Sequence, residues 1–543
     1  MLALICSTRS ARASSLLMSS ALRLPACKAT SHICHSFTFM YLTVHLLWIP
    51  LMYSKVHKMK HSPMTLTSAA ASSVLLLAAC STPVPHAHSP SVPLAASFSN
   101  EAVSSSVASG LGDSWWDGFG DATLPQLVNE ALSANQDVAI ALQRVRQARA
   151  GADAQASRLW PTIGVQAAAS RSQSGVPVSV KQGLPDMRAL RAGLDLAWEI
   201  DLAGGARAAR NAAQADAFAA VAGVHGARLL VASEVARQYF VLRSAEERLR
   251  IMQALVAAQR QTAVRVESRW REGQASAFDL DRARAEADAL DAQLPALRLL
   301  VGTTHTKLAV LLGRNPSTPV VHADNTFAWP KARAITTGQP SELLRRRPDL
   351  AAAEARVAAE ALRSAEARAQ WWPKLFLSAL VGRQDLRLNA LDLAPVHFSN
   401  VALALAAPIF NAGRIDAGIL AQSARAEEAL LAWQKSVLVA VQEVEDSLLV
   451  RSQEAERNAA LALTVEHRRR SLRRAESLQR EGQIDLLVLL DVQRSVLASE
   501  LALSDSSLQR AMADIQLFKA LGGGFSLAQT DATRTPLAAR TPQ

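Results

Sequence analysis

The chain has 543 residues, of which 50% are hydrophobic and 19% are charged, and its formal net charge is +11 at pH 7. Seven lysines and arginines and no acidic residues precede Cys80, so the part from Cys80 onward carries 11 − 7 = +4. That balance does not favour a nucleic-acid partner. Cys80 is the only cysteine in this part, which excludes an intrachain disulfide there.

The first 58 residues contain no Asp or Glu and hold three of the four cysteines. An acid-free leader of this kind is typical of a transit peptide, or it is sequence upstream of a true start at Met59. We favour the second interpretation, because a complete secretory signal begins at Met59. Lys60 supplies the positive charge, an apolar run covers residues 66–77, and small residues precede Cys80. Residues 59–79 are therefore predicted to be a signal peptide.

The segment "LAAC" ending at Cys80 resembles a bacterial lipobox, which implies cleavage before Cys80 and lipidation of its thiol. A buried structural cysteine is the alternative, but the apolar run upstream and the Pro/Ser-rich linker over residues 80–112 favour lipidation. By resemblance to bacterial lipoproteins, Ser81 implies sorting to the outer membrane. No later stretch approaches the ~20 apolar residues of a membrane-spanning helix, so any insertion into the bilayer is expected to use strands.

The rest of the chain contains two similar segments. "REGQ" occurs at residues 271–274 and again at 480–483, an offset of 209, and Trp160-Pro161 matches Trp372-Pro373 at an offset of 212. Segments this long are not solenoid repeats, so we expect two copies of one large unit in a single body. The copies are predicted at 113–330 and 331–525, followed by a flexible tail at 526–543.

Long helices dominate both copies. The 63 residues between Gly418 and Gly482 contain no Gly or Pro, and as a helix they would extend for ~95 Å. Apolar residues recur there every three or four positions, as in a coiled-coil seam: Leu430, Trp433, Val437, Ala440, Val444 and Leu448. Gly273 and Gly482 can adopt the positive φ that ends a helix, so each "REGQ" is predicted to be the tip of a helical hairpin.

Strand patterns occur in four places. In "RAGLDLAWEIDL" the apolar side chains alternate with Asp195, Glu199 and Asp201. Similar alternation covers residues 163–169, 375–381 and 401–405. An ordinary half-buried sheet alternates in the same way, but lengths near ten residues suit a membrane barrel. Four strands cannot close a barrel, so closure would require several chains.

In order and spacing, several segments resemble the TolC-type outer-membrane efflux proteins, particularly the lipidated OprM and NodT-like branch. They are "SWWDGFGDATLPQLVNEAL", "WEIDLAGGAR", "SELLRRRPDL", "APIFNAGR", "VQEVEDSL" and "KALGGGF". The resemblance implies a mixed, mainly α fold with a two-fold internal repeat. A homotrimer would combine a long coiled-coil α-helical barrel with a small transmembrane β-barrel of four strands per subunit. The "LAGG" segment departs from the pattern, because Ala203 stands where relatives often carry an aromatic residue.

The same resemblance implies a lipid-anchored protein of the bacterial outer membrane that extends into the periplasm. It would be the exit duct of a tripartite efflux pump or of a type I secretion system. Its partners would be a periplasmic adaptor and an inner-membrane transporter, in the first instance one of the RND type. Its cargo would be drugs or other small molecules. The alternative is a non-conducting structural lipoprotein that spans the periplasm, but a spacer has no need for a polar-lined barrel.

Two candidate sites follow from the resemblance. The segment "GQIDLLVLLDVQR" implies a periplasmic gate at Leu487 and Asp491, which a trimer would turn into an apolar collar and a carboxylate ring able to favour cations. Alternatively, Leu487 belongs to an ordinary coiled-coil core and Asp491 is a solvated surface residue. The resemblance also implies adaptor contacts at the hairpin tips, through Gly273, Gln274, Ser276, Gly482 and Gln483. The alternative is that these residues only form turns.

Other motifs do not indicate chemistry. His86 and His88 lie in a Pro/Ser-rich linker without a third metal ligand nearby. The glycines at 522–524 close a helix, so they do not form a phosphate loop. Arg345 to Arg347 are predicted to be a solvated loop ahead of a helix with Pro348 near its first position. We therefore expect no enzyme activity, no metal and no cofactor apart from the lipid on Cys80.

Overall fold

The computed structural model describes residues 92–100, 114–173, 175, 187–318, 320, 327–330, 335, 337–388 and 391–524. The predicted leader, signal peptide, lipidation site at Cys80, histidine pair and C-terminal tail lie outside the described residues. Those expectations therefore stay predictions.

The first half begins with a 3₁₀ turn at Trp115–Phe119, and its regular elements follow in chain order. They are α1 (Thr123–Ala134), α2 (Gln136–Ser157), β1 (Thr162–Ser172), β2 (Met187–Ile200), α3 (Gly205–Arg271), α4 (Ala277–Asp291) and α5 (Leu294–Leu311). Helix α3 has 67 residues, which corresponds to a length of ~100 Å. Pro295 lies in the first turn of α5 and accounts for the break between α4 and α5.

The second half has a similar order of elements after a helical turn at Leu343–Arg346. Its elements are α6 (Pro348–Ala369), β3 (Lys374–Leu388), β4 (Leu391–Asp392), β5 (Val396–Ala406), α7 (Arg414–Arg480) and α8 (Leu486–Ala520). Helix α7 also has 67 residues. Its partner α8 is one continuous helix of 35 residues, because no proline interrupts it. Both predicted hairpins, α3–α4 and α7–α8, are present, and "REGQ" forms the tip of each.

The strands form one antiparallel sheet in the order β1–β2–β3–β5, and β4 pairs only with the far end of β3. The predicted alternation places the apolar residues on one face, where Ile163 opposes Leu196, Leu196 opposes Ala379, and Ala379 opposes Val401. Four predicted strands are confirmed, whereas the two-residue β4 was not predicted. The second predicted strand was too long at its C-terminal end, because β2 stops at Ile200 and Asp201 lies beyond it.

Aromatic and aliphatic side chains form the core beside the middle of α3. Tyr239 and Phe240 are fully buried, and the Trp115 ring stacks on Phe518 of α8 with centroids 5.3 Å apart. The predicted coiled-coil seam of α7 is confirmed, because five of its members are buried: Trp433, Val437, Ala440, Val444 and Leu448. The core therefore joins the two halves through α3, α7 and the end of α8.

The prediction of a solvated loop at Arg345 to Arg347 is wrong, because Arg345 and Arg346 belong to the helical turn Leu343–Arg346 and Arg347 is only 8% exposed. Its guanidinium donates from Nη1 to Glu443 Oε2 at 2.6 Å and to the Ala520 carbonyl at 3.1 Å, and from Nη2 to Asp349 Oδ2 at 2.8 Å. Three helices thus converge on one arginine, which a local run of arginines does not reveal. Pro348 is the first residue of α6, as predicted.

One described helix is long and apolar enough, by length and composition, to cross a membrane. This helix is α3, which contains an 18-residue window with a mean hydropathy of 1.3. Within the fold, 22% of that window is buried. The expectation that no stretch after Cys80 would qualify is therefore corrected. Helix α3 is rich in alanine, and this composition lets it pack closely against α2 and α6.

Candidate functional site

The tip of the first hairpin is a tight turn closed by backbone hydrogen bonds. Gly273 has φ = 73°, its N–H donates to the Trp270 carbonyl at 2.9 Å, and the Gln274 N–H donates to the Arg269 carbonyl at 2.7 Å. This pair of bonds is a Schellman motif, which requires the positive φ that glycine adopts without strain. The turn leaves Gly273 and Gln274 exposed.

Helix α4 begins at Ser276 with a reciprocal cap. The Asp279 N–H donates to Ser276 Oγ at 3.1 Å, and the Ser276 N–H donates to Asp279 Oδ2 at 3.2 Å. The Ser276 hydroxyl and backbone hydrogen bonds lower the pKa of the Asp279 carboxyl. Ser276, a candidate adaptor contact, therefore has a structural role at the helix start that is compatible with its exposure.

The second tip has the same backbone with different side chains. Gly482 has φ = 74°, and the Gln483 N–H donates to the Leu478 carbonyl at 2.9 Å. Asp485, which is 209 positions after Ser276, caps α8 by accepting from the Leu486 N–H at 2.7 Å. The two turns therefore share their geometry, and the differences between them lie in the residues that follow.

The two tips lie side by side. Leu486 packs against Val266 and Leu280 of the first hairpin. A cleft of about 410 Å³ separates the turns, and Gln274 lines it on one side with Gly482 and Gln483 on the other. The charged residues that line the cleft are of both signs: Arg265, Arg269, Asp279 and Asp485. The structure thus brings the candidate adaptor residues of both turns to one end of the helical bundle.

Two exposed aromatic residues at the first tip were not among the predicted site residues. Trp270 is 44% exposed and Phe278 is 67% exposed. Phe278 is 209 positions before Leu487, so the repeat offset already pairs these two residues in the sequence. Exposed aromatic side chains are enriched at the centres of protein interfaces.

The predicted gate residues lie on the first two turns of α8. Leu487 is half-buried, Val488 is 49% exposed, and Asp491 is exposed one turn beyond Leu487. The opposite side of the helix, with Leu489, Leu490 and Gln493, is buried against the same chain. Val488 therefore joins Leu487 as an apolar side chain facing away from the core.

An ion pair connects this part of α8 to the first hairpin. Arg494 donates from Nε to Glu286 Oε1 of α4 at 2.7 Å, and its Nη2 contacts the second carboxylate oxygen. The hydrogen bond from Arg494 lowers the pKa of Glu286. In turn Glu286, with a smaller contribution from Asp491, raises the pKa of Arg494. Sequence reasoning missed this contact because the two residues are 208 positions apart.

The second face of the sheet is mixed in polarity. Glu199 forms an ion pair with Lys374 at 2.9 Å, and Arg191 donates to Gln384 at 3.3 Å. The Arg191 guanidinium also lies over the Phe398 ring, 4.6 Å from its centroid. Predicted Asp195 and Glu199 lie on this face, whereas Asp201 accepts from the Arg207 N–H beyond the strand. The described ranges hold no group of three metal-ligating side chains.

Comparison with known proteins identifies the family. The sequence model of the outer membrane efflux protein family matches residues 127–314 and again residues 339–523. The chain belongs to this family. It is 32% identical over 461 residues to "Pyoverdine export outer membrane protein OpmQ" of Pseudomonas putida, an alignment covering 83% of the chain and 96% of that relative.

Two further comparisons agree. "Probable outer membrane lipoprotein SilC" of Salmonella typhimurium is 25% identical, with 84% of the chain and 98% of the relative covered. The solved structure of the outer-membrane channel OprN is 29% identical, has a TM-score of 0.72, and covers 80% of the chain and 98% of its own. The chain is thus an outer-membrane efflux protein with a TolC-type fold. The family is one of channels, not of enzymes.

Proposed function

We propose that this chain is the outer-membrane exit duct of a tripartite efflux pump and that it acts as a homotrimer. The supporting observation is a sheet of four long strands at one end of helices ~100 Å long, with an apolar face, a mixed polar face and two open edges. Such a sheet cannot remain open in a bilayer, because its edge N–H and C=O groups would have no partners.

The open edges allow head-to-tail closure. Strands β1 and β5 form the two edges and run in opposite directions, because the intervening pairs are all antiparallel. The β5 edge of one copy can therefore pair with the β1 edge of the next in the same antiparallel sense. Three copies give 3 × 4 = 12 strands, the number that the TolC-type resemblance implies. The 67-residue helices of the same copies would form the α-helical barrel.

The faces of the sheet match such a barrel. On the outer face the pairs Val165–Leu194 and Leu194–Val381 continue a band of exposed apolar side chains. The inner face would line the duct with Arg191, Asp195 and Glu199, so that it stays wet.

The two-fold internal repeat belongs to the same proposal. Both halves have a helix, two long strands, a helix of 67 residues and a returning helical segment, and the family match also occurs twice. We assign the two units to 113–330 and 331–525. The preceding segments are a leader, a signal peptide at 59–79 and a linker at 80–112, and a tail at 526–543 follows.

Lipid on Cys80 would anchor the trimer. Comparison of the intact-protein masses of wild type and Cys80→Ser tests this lipidation.

The gate is proposed at Leu487 and Asp491, with Val488 beside them. The exposed side of α8 supports this site, since its buried side already packs on the same chain. The test is single-channel conductance in planar bilayers for wild type, Leu487→Ala/Asp491→Ala and the control Leu463→Ala, an exposed leucine on α7. Small, cation-selective currents should increase in the double variant only. Equal conductance in all three would remove the gate assignment.

Adaptor docking is proposed at the tips, through Gly273, Gln274, Ser276, Gly482 and Gln483. The inner-membrane transporter, RND-type in this proposal, would select the cargo, and the relatives' names indicate small molecules. Gly273→Trp should abolish efflux in cells while the trimer persists, because a side chain at φ = 73° strains the turn and the indole would cover its open outer surface. Normal efflux in this variant would count against docking there.

Wild-type conductance also discriminates against the alternative of a non-conducting structural lipoprotein. A folded, membrane-inserted trimer without current would favour that alternative. No catalytic role is proposed.

A further inference from the structure

One row on the inner face of the sheet contains two glycines and an aromatic ring. Gly193 of β2 opposes Gly382 of β3, and Gly382 opposes Phe398 of β5. A Cβ at Gly382 would lie 2.8 Å from Phe398 Cζ and 2.7 Å from the Gly193 Cα. The absence of a side chain at Gly382 therefore leaves the space above β3 that the Phe398 ring occupies.

Arg191 extends into the same space from the other side. It lies on β2, two residues before Gly193 and on the same face. Its guanidinium lies over the Phe398 ring, 4.6 Å from the centroid, and its Nη2 donates to Gln384 Oε1 of β3 at 3.3 Å. A cation at this distance from an aromatic face is attracted by the ring quadrupole. Contacts to β3 and β5 thus hold the guanidinium at a defined position.

These contacts leave the positive charge of Arg191 available. A guanidinium has five N–H donors, and within the described residues that of Arg191 donates one hydrogen bond, to a neutral amide. The first carboxylate on this face of β2 is Asp195, four residues away, or ~13 Å along the strand. The Arg191 side chain is exposed, and Phe398 covers one face of the guanidinium plane. The charge is therefore fixed in place without a carboxylate beside it on the described strands.

The proposed trimer places three copies of this arginine at one height of the barrel. Helix α3 follows the end of β2 at Ile200, and from Arg191 to Ile200 there are 200 − 191 = 9 residue steps. Nine steps are ~30 Å along the strand, or ~23 Å along the axis at the ~40° tilt of barrel strands. The ring of three guanidinium groups thus lies toward the mouth of the barrel that faces away from the helices. Rings of arginine favour anions in pores, so this ring is opposite in sign to the Asp491 ring proposed at the gate.

The planar shape of the guanidinium indicates which anions fit. Guanidinium groups bind carboxylates and similar oxyanions through paired N–H donors, and they stack on aromatic rings. Phe398 occupies one face of the Arg191 plane, so the other face and the edge remain for a molecule in the lumen. We infer that Arg191, positioned by Phe398 and Gln384, binds planar aromatic anions on their passage through the barrel. The inference rests on the proposed duct, because only a closed barrel makes this face a lumen.

The test is block of single-channel K⁺ current through the full trimer in planar bilayers, with probes added on the side of the barrel mouth. The main probe is naphthalenesulfonate. Its companions are cyclohexanesulfonate, which has the charge without the aromatic plane, and naphthylmethylammonium, which has the plane with the opposite charge. The variants are Arg191→Gln, Arg191→Lys and Phe398→Leu. The matched control is Arg188→Gln, which removes the same charge from the outer face of the same strand.

Wild type is expected to bind naphthalenesulfonate at least about twofold more tightly than cyclohexanesulfonate, because a cation–π contact at an exposed site contributes about two- to fivefold. Arg191→Gln should weaken the block by naphthalenesulfonate at least about threefold, because an exposed charge pair contributes up to about fivefold and the stacking contact is lost with it. The block by the ammonium probe should not weaken in this variant.

The other variants separate charge from shape. Arg191→Lys should keep the effect of the charge and lose the preference for the aromatic sulfonate, since an ammonium group offers no plane. Phe398→Leu should weaken the block by naphthalenesulfonate at least about twofold, because the guanidinium loses the ring that holds it. Arg188→Gln should behave as wild type.

A naphthalenesulfonate block that is unchanged in Arg191→Gln would overturn the inference. An equal loss in Arg188→Gln would also overturn it, because net charge would then explain the block. Where Arg191→Gln fails to assemble, the wild type decides alone, and equal block by the two sulfonates refutes the site. Silent wild-type trimers refute the duct itself, whereas conducting wild-type channels without the sulfonate preference refute only the site.

Discussion

The ion pair between Arg494 and Glu286 joins the two hairpins next to the proposed gate. Opening of the gate by movement of α8 away from α4 would have to break it. The Arg494 side chain is 50% exposed and that of Glu286 is 16% exposed, so each pair contributes about 0.5–1 kcal/mol. Three copies that open together sum to ~1.5–3 kcal/mol, which corresponds to a roughly 10- to 100-fold change in the open-to-closed ratio.

Glu286→Gln and Arg494→Gln should therefore each raise the open probability of single channels by about this factor. The double variant should add little to either, because both substitutions remove the same interaction. Glu500→Gln is the control, since the hydrogen bond that Glu500 accepts from Arg469 at 2.6 Å lies within the second hairpin. Equal effects of the control and Glu286→Gln, or additive effects of the two gate-side variants, would refute the reasoning.

The same pair predicts a dependence on pH. The hydrogen bond from Arg494 holds the pKa of Glu286 below the ordinary 4.5. A lowered carboxyl pKa means that the stabilisation is present above pH 4.5 and is lost as the pH falls through the lowered value. Channel opening should therefore increase with acid below pH 4.5, and Glu286→Gln should lack this part of the response.

Three further predictions concern stability. Gly193→Val should prevent trimer formation, scored by gel filtration, because a Cβ there would lie 2.7 Å from the Val381 carbonyl oxygen. Arg347→Met should lower the free energy of unfolding by about 1.5–3 kcal/mol in urea titrations, through lost charged hydrogen bonds at a buried site. Burial raises the pKa of Tyr239 to about 12, so stability should fall between pH 10 and 12 as the unfolded state ionises first, and Tyr239→Phe should remove that fall.

The sequence predicted the elements whose signals are local. A glycine at the end of a long Gly-free run predicted each hairpin tip, and both turns have the positive φ that the argument required at Gly273 and Gly482. Period-two alternation predicted the apolar face of the sheet, since it depends only on neighbours within a strand. The end of β2 at Ile200 was missed because the alternation continues through Leu202, beyond the last pairing.

The rest depends on contacts between distant residues. Arg347 looks like one of three surface arginines until α7 and the end of α8 enclose it. That Arg188 stands opposite Arg387 requires the register of strands from both halves, because the two residues are 199 positions apart in the chain. Period-two alternation identifies a face but not which residues stand opposite one another.

The repeat itself indicates how one hairpin could dock a partner while the other gates the duct. The tips share a Schellman turn and a capped helix start, so their backbones differ little. At equivalent positions the first hairpin carries Phe278, 67% exposed, and the second carries Leu487, half-buried. An aromatic residue at an exposed tip suits a partner surface, whereas an aliphatic one suits a collar of three identical side chains. Duplication would thus supply one scaffold twice, and the second residue after the cap would assign its role.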